Sequence, residues 1–362
     1  MSTHASPKIA IIGSGPAGCY LAQSLVRGAP DARLTLIDRL ASPFGLIRYG
    51  VAADHQHTKA ITRQFERLFQ SGSVRFAGNV EIGRDLSLEE LAEQYDAVVL
   101  ATGLSVDRPL GVPGDRLPGV IGAGEITRTL NAHPDEGQQL PTLGSTPVII
   151  GAGNVAIDIL RFLVKDREGF EGSDISDSAL DAYLAAPADR ITLVSRSSAA
   201  ESKGDPQMLK ELAALPRATY TSPDDLTIDP ETAPDRTAAA RVAAIADMVS
   251  AERPEHPGPR VTLRFGLRPV RILGNERVEG VEFASGDETI VVPATSVLTA
   301  IGFSAFADDQ LAELVAEHSE IGRIEPGLYR TGWAKRGPRG AIPENRACAK
   351  SVADEILADL AD

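Results

Sequence analysis

Cysteine is scarce in this chain: Cys19 and Cys348 are the only two among 362 residues. They form no Cys-x-x-Cys pair, which excludes a thioredoxin-type disulfide relay. They are also too few for a cysteine-held zinc or iron–sulfur centre. Six histidines show no ligand spacing beyond His55 and His57, so no metal is expected. Aromatic residues are few, 5% of the chain, with Trp333 the single tryptophan. No apolar run approaches the roughly 20 residues a membrane span requires. The first residues lack the charged-then-apolar pattern of an export signal, so a cytoplasmic setting is expected, without a membrane. An excess of basic charge is missing too. Thirty-six Lys and Arg against 50 Asp and Glu leave a net charge of −14, which argues against nucleic acid, because phosphate binding needs a basic footprint. One stretch departs from this balance. Residues 323–350 hold Arg323, Arg330, Lys335, Arg336, Arg339, Arg346 and Lys350 against Glu325 and Glu344. A local basic face of that kind would steer an acidic partner.

Glycine is plentiful, and its placement carries the reading. Gly13-Ser14-Gly15-Pro16-Ala17-Gly18 follows the β-branched run ending at Ile12, and Gly151-Ala152-Gly153-Asn154-Val155-Ala156 follows Val148 to Ile150. Each opens a helical pattern. In such a turn the first two glycines allow a tight bend and close approach to a pyrophosphate, while the last small residue lets helix and strand pack. The helix start adds unpaired N–H groups and a positive dipole end. Two such turns in one chain imply two dinucleotides, most naturally a flavin and a nicotinamide. Asp38, twenty residues beyond Gly18, stands where a ribose-binding carboxylate is expected.

The order strand 7–12, helix 16–27, strand 33–37 makes one βαβ unit; Pro147 to Lys165 with strand 191–194 makes a second. Loop 42–55 precedes a predicted helix near 56–71, and residues 86–94 read as helix before a buried strand, 97–100. Segment 221–260, rich in Pro, Asp, Thr and Glu, reads as a surface excursion with a helix near 237–252. Strands are predicted near 260–265, 278–283 and 289–292. Ala101-Thr102-Gly103 and Ala300-Ile301-Gly302 echo one another and mark the expected crossings of a domain inserted in another. The fold class expected is α/β, with two three-layer Rossmann-like dinucleotide domains: 1–106 with 298–362, and 107–297.

Pro43-Phe44-Gly45-Leu46-Ile47-Arg48-Tyr49-Gly50-Val51-Ala52, followed by Asp54-His55, resembles the signature loop of adrenodoxin-reductase-like ferredoxin–NADP reductases. So does Gly332-Trp333-Ala334-Lys335-Arg336-Gly337-Pro338-Arg339-Gly340-Ala341-Ile342, and the second turn has the family's Gly-x-Gly-Asn-Val-Ala-x-Asp form. The resemblance covers nearly the whole chain. It implies FAD held by Gly13, Gly15, Pro16, Ala17 and Gly18, with Asp38 on the adenosine ribose. Gly45, Leu46, Val51, Trp333, Gly340 and Ile342 would line the flavin ring. NADP(H) would lie on Gly151, Gly153, Asn154, Val155 and Ala156. Arg196, at a strand end, would fork onto the 2′-phosphate, with Ser197 and Ser198 adding neutral hydrogen bonds and Glu211 nearby. His55 would modulate protons near the flavin. A ferredoxin-type iron–sulfur protein is the implied partner, docking near Lys335, Arg336, Arg161, Lys165 and Arg167.

The chain departs from that pattern in several places. It resembles a shortened member between about 220 and 320, and Ala53 replaces a usual proline. Ser197 replaces the second of two adjacent arginines, and Arg339 replaces a threonine. The Glu-Leu-Arg-Glu pattern reads Glu211-Leu212-Ala213-Ala214, without its second acid. A small-molecule reductase or oxidase, and a nucleotide-binding subunit without turnover, are the competing readings.

Overall fold

The computed structural model describes residues 6–226, 234–252, 258–305, 311–315 and 319–361. Parts of the expected surface excursion, 227–233 and 253–257, lie outside them. The chain divides into two compact units, Met1–Val51 with His55–Val106 and Phe303–Asp362, and Ala52–Asp54 with Asp107–Gly302. The second is inserted in the chain of the first. It runs to Gly302 and not to 297, because strand Ser296–Thr299 pairs with Val120–Gly122 and Pro147–Ile150 of that unit.

The first unit is built on a six-stranded sheet in the order Arg323–Glu325, Leu328–Arg330, Ala97–Leu100, Lys8–Ile12, Arg33–Asp38, Val74–Gly78. All neighbours are parallel except the first pair. Strand Lys8–Ile12 shows why its apolar run is continuous. Ile9 and Ile11 face a core shared with Leu21, Leu25 and Val352, while Ala10 and Ile12 face another with Leu91 and Leu100. A strand covered on both faces needs apolar residues at every position. Helices Pro16–Gly28 and Ile342–Asp359 pack together on one face; a Cβ on Gly28 would lie 2.4 Å from a Leu357 methyl. Burying Val352 and Ile356 in that seam contributes roughly 1.5–3 kcal/mol each.

The second unit has an all-parallel sheet in the order Val120–Gly122, Ser296–Thr299, Pro147–Ile150, Arg190–Val194, Arg260–Arg264, Thr219–Thr221. Ile149, Leu193 and Leu298 face helices including Asn154–Val164; Val148, Ile150 and Val297 face a three-stranded antiparallel sheet, Arg268–Leu273, Gly280–Ser285 and Glu288–Pro293. Three layers result in each unit. The predicted helix near 56–71 is broken into Gln56–Lys59 and Thr62–Gln70, and the loop at 42–55 contains helix Gly45–Tyr49. Strand Arg268–Leu273 and helix Ala123–Leu130 were not anticipated; the helix start is held by Asp107, which accepts from Gly124 and Glu125 N–H groups at 2.7 and 2.9 Å. Among the described residues no helix is long and apolar enough to cross a membrane.

Candidate dinucleotide-binding sites

In the first unit the sheet order reverses between Lys8–Ile12 and Ala97–Leu100, and the glycine turn lies at the carboxyl end of the former. Such switch points are where α/β sheets open a crevice. Gly13 adopts φ 108°, and a Cβ there would lie 2.4 Å from the Ala101 carbonyl oxygen. Dihedral and space both demand glycine. A Cβ on Gly18 would sit 2.0 Å from the Gly13 carbonyl oxygen, so this glycine sets how closely helix meets turn. Gly15 differs: nothing lies within 4 Å of its Cβ position. Helix Pro16–Gly28 has no side-chain cap and no acid in its first turn. Its leading N–H groups and positive dipole end therefore suit an anion. Pro16 and Ala17 are buried at that helix start.

Asp38 ties the turn to the next strand. Its Oδ2 accepts from Ser14 N at 2.8 Å and Ser14 Oγ at 2.5 Å, and its Oδ1 accepts from Leu40 N at 2.9 Å. Each carboxylate oxygen has two acceptor positions, so Oδ1 retains capacity for a ribose hydroxyl. Ser14, fully buried, was not singled out in the sequence.

Both distant motifs of this unit reach the same turn. Gly45 approaches so closely that its Cβ would lie 3.3 Å from Gly15 Cα, and Phe44 donates its N–H to the Ser14 carbonyl at 3.0 Å. Phe44 holds φ 87°, a conformation that costs a non-glycine residue about 1 kcal/mol or more. Its ring is locked among Phe65 and Phe69, with centroids 6.5 and 6.1 Å away. The Leu46 carbonyl accepts from Gly50 and Val51 at 2.8 and 2.9 Å, closing the loop. From the other end of the chain, Thr331 donates to the Leu100 carbonyl at 2.9 Å, extending strand Leu328–Arg330. Gly332 then presses on the helix start: its Cβ would lie 2.4 Å from that of Ala17. Half-buried Trp333 stacks on Phe303 at 5.8 Å and donates Nε1–H to the Gly340 carbonyl at 3.3 Å. Ile342 opens the last helix. His55 precedes helix Gln56–Lys59, half-buried, its carbonyl accepting from Lys59 at 3.0 Å.

The second unit repeats the arrangement. Gly151 adopts φ 126°, and its Cβ would lie 2.3 Å from the Ala300 carbonyl oxygen. The two Ala-x-Gly echoes thus share a task beyond marking crossings: each presents a carbonyl to the first glycine of a turn. Beside Gly153 the nearest atom is Lys203 Cβ, 4.0 Å from its Cβ position. Ala156, fully buried, takes the third small position, and Val155 packs against the core. Helix Asn154–Val164 also lacks a side-chain cap and a first-turn acid. Asn154 Oδ1 accepts from Asp205 N at 2.8 Å, binding the following loop to the turn.

Arg196 follows strand Arg190–Val194, exposed and without an ion pair among the described residues. Beside it, Ser197 donates its N–H to buried Ser195 Oγ at 3.1 Å, and Ser198 Oγ donates to Glu201 at 2.9 Å. Glu211 lies exposed on helix Pro206–Ala213, accepting from Gln207 Nε2 at 3.2 Å.

The expected docking cations are differently employed. Lys335 is buried. Arg161 and Lys165 turn inward to Asp54, at 2.8 and 2.5 Å, and Arg167 pairs with Asp181. Arg323 and Lys350 pair with Asp359 and Asp354, and Arg336 donates to the Arg339 carbonyl and Asn345. Lys335 and Arg336 of the stretch 323–350 are thus engaged within the fold, while Arg339 and Arg346 stay exposed. Arg161 also reaches Asp158 at 3.5 Å. Burial pushes the Asp158 carboxyl up to about 7, opposed by Arg161 and reinforced by Asp54 and Glu211. Sequence gave no sign of the Asp54–Arg161 pair, whose members are 107 residues apart.

Residues 7–210 match the pyridine nucleotide-disulphide oxidoreductase family. The chain is 41% identical to cindoxin reductase of Citrobacter braakii, over 98% of this chain and 78% of that one. It is 33% identical to NADPH-ferredoxin reductase FprA of Mycobacterium tuberculosis, over 97% and 84%. The solved structure of M. tuberculosis FprA in complex with NADPH superposes with a TM-score of 0.89 at 31% identity, covering 98% of this chain and 85% of the other. With both glycine turns and both distant motifs in place, the chain belongs to the pyridine nucleotide-disulphide oxidoreductase family, in its ferredoxin–NADP reductase group.

Proposed function

We propose that this protein is an FAD-dependent, NADPH-oxidising ferredoxin reductase. The observation that carries the reading is the meeting of Gly45 and Gly332, from opposite ends of the chain, on the turn Gly13–Gly18, together with a second, independent turn at Gly151. The first unit is the FAD domain and the second the NADP domain.

The cradle suits a dinucleotide: Gly15 leaves room for one, and a Cβ would fill that room. Bound FAD supplies hydride acceptance from a nicotinamide and release of single electrons. The protein's part is to bind and to orient. Gly13, Gly15, Pro16 and the N–H groups of Ala17 and Gly18 receive the pyrophosphate, and Asp38 the adenosine ribose. Gly45, Leu46 and Val51 present backbone to the ring system, and Trp333, Gly340 and Ile342 close the far side. In the second unit Gly151, Gly153, Asn154, Val155 and Ala156 take the NADP pyrophosphate. Arg196 takes the 2′-phosphate, assisted by Ser197 and Ser198. With one arginine there, the preference for NADPH over NADH rests on a single charge-assisted contact, about ten- to a hundredfold. Glu211 belongs with the NADP-binding residues, and half-buried His55 modulates protons near the flavin. The acceptor is a ferredoxin-type iron–sulfur protein, and the setting cytoplasmic.

The test is anaerobic mixing of flavin-loaded protein with NADPH and, separately, NADH, followed by addition of ferredoxin. Fast loss of flavin absorbance with NADPH, and ferredoxin reduction after it, is the expected result. No bleaching with either nucleotide refutes the reading.

A further inference from the structure

We infer that Lys203 is a pyrophosphate clamp of the nucleotide site in the second unit, serving NADP(H) and NAD(H) alike; the inference rests on the nucleotide-binding reading above. Nothing in the sequence singles Lys203 out. Its Cβ lies 4.0 Å from the Cβ position of Gly153, the glycine whose openness admits the phosphates.

The loop that carries Lys203 is held at both flanks. Gly204 is wedged so tightly that its Cβ would lie 2.8 Å from an Ile157 methyl and 3.2 Å from the Ala152 carbonyl oxygen. Ser202, buried, donates Oγ–H to the Ala199 carbonyl at 2.8 Å. Arg241, on helix Arg236–Ser250, donates Nε–H to the Gly204 carbonyl and an Nη1 hydrogen to the Ala200 carbonyl, both at 2.6 Å. Asp205 N–H fixes the next residue to Asn154 at 2.8 Å. Between two buried neighbours, Lys203 is exposed beside the turn and has no ion pair among the described residues.

The nearby acids are occupied. Glu201 takes the Ser198 hydroxyl, and Asp205 caps helix Pro206–Ala213 through Gln207 and Met208 N–H groups at 2.8 and 3.2 Å. An ammonium carried by a braced loop beside a helix start that has no acid complements a diphosphate. Its station beside Gly153, and not at the strand end with Arg196, assigns it the part that both nucleotides share. Arg241 is a positioning residue for this loop.

The experiment is calorimetric titration of the flavin-loaded protein and of K203Q, K203R and R196Q with NADP+ and with NAD+. K203Q should weaken both nucleotides by the same factor, about tenfold, leaving their ratio unchanged. K203R should retain most of the affinity, and R196Q should weaken NADP+ alone. Unchanged binding in K203Q, with its melting temperature intact, overturns the clamp while leaving the nucleotide site standing. Weakening of NADP+ alone overturns it as well, by placing Lys203 at the 2′-phosphate. A wild-type protein that binds neither nucleotide overturns the underlying reading and the clamp together.

Discussion

Asp54→Asn is expected to destabilise the second unit by about 3 kcal/mol. Asp54 Oδ2 accepts from Arg161 at 2.8 Å and Lys165 at 2.5 Å, and the three side chains are 13%, 10% and 9% exposed. Removing one member of a buried ionic cluster costs about 3–5 kcal/mol, because the remaining charge stays out of water. Two features hold the figure at the lower end. Arg161 keeps Asp158 at 3.5 Å, and Lys165 keeps the Phe170 ring, 5.1 Å from its ammonium, worth about 0.5–1 kcal/mol. The assay is urea unfolding at neutral pH, with a fluorescence probe placed in the second unit. With a slope of roughly 3 kcal/mol per molar, the midpoint should fall by about 1 M. A second readout follows from the same geometry. The Asp54 charge helps to raise Asp158, so the Asp158 titration should move to lower pH in the variant. A midpoint that stays put or rises would refute the reasoning. It would mean that desolvating these ions costs as much as their pairing returns.

Three further outcomes follow. Gly15→Ala should leave melting nearly unchanged, since its Cβ position faces open space, yet lose FAD; retention of flavin on gel filtration would contradict the cradle. Gly18→Ala should fail to fold or lose about 3 kcal/mol or more, because its Cβ would stand 2.0 Å from a backbone oxygen; normal thermal unfolding would count against it. Asp158→Asn concerns pH. The folded carboxyl holds its proton up to about 7 against an ordinary 3.8, so the folded state binds more protons between those values and stability falls as pH rises through them. At roughly 1.36 kcal/mol per unit the loss is at most about 4 kcal/mol, and Asn should remove that slope and be the more stable above pH 7. An unchanged slope in pH-dependent urea melts would refute the assignment.

The α/β class, the two turns and the inserted order were legible because their signals are local. A strand, a glycine turn and a helix start follow within ten residues, and each glycine's need arises from its own backbone. Gly13 and Gly151 could be named before any fold was known; the Ala101 and Ala300 carbonyls that exclude a side chain there could not. The family motifs marked Gly45 and Gly332 as important, but only tertiary structure brings them to one helix start, because contacts across hundreds of residues leave no periodic trace. The basic stretch shows the opposite failure. Composition registers charge and not direction, so Lys335, Arg161 and Lys165 read as surface until packing turned them inward. Lys203 is the same lesson in reverse: an unremarkable lysine in sequence, and in the fold a residue whose Cβ stands 4.0 Å from the Cβ position of Gly153. What the sequence determined by itself was the chemistry of the backbone at two turns. Which side chains surround them was decided by tertiary structure, through the burial of charge and the closure of loops.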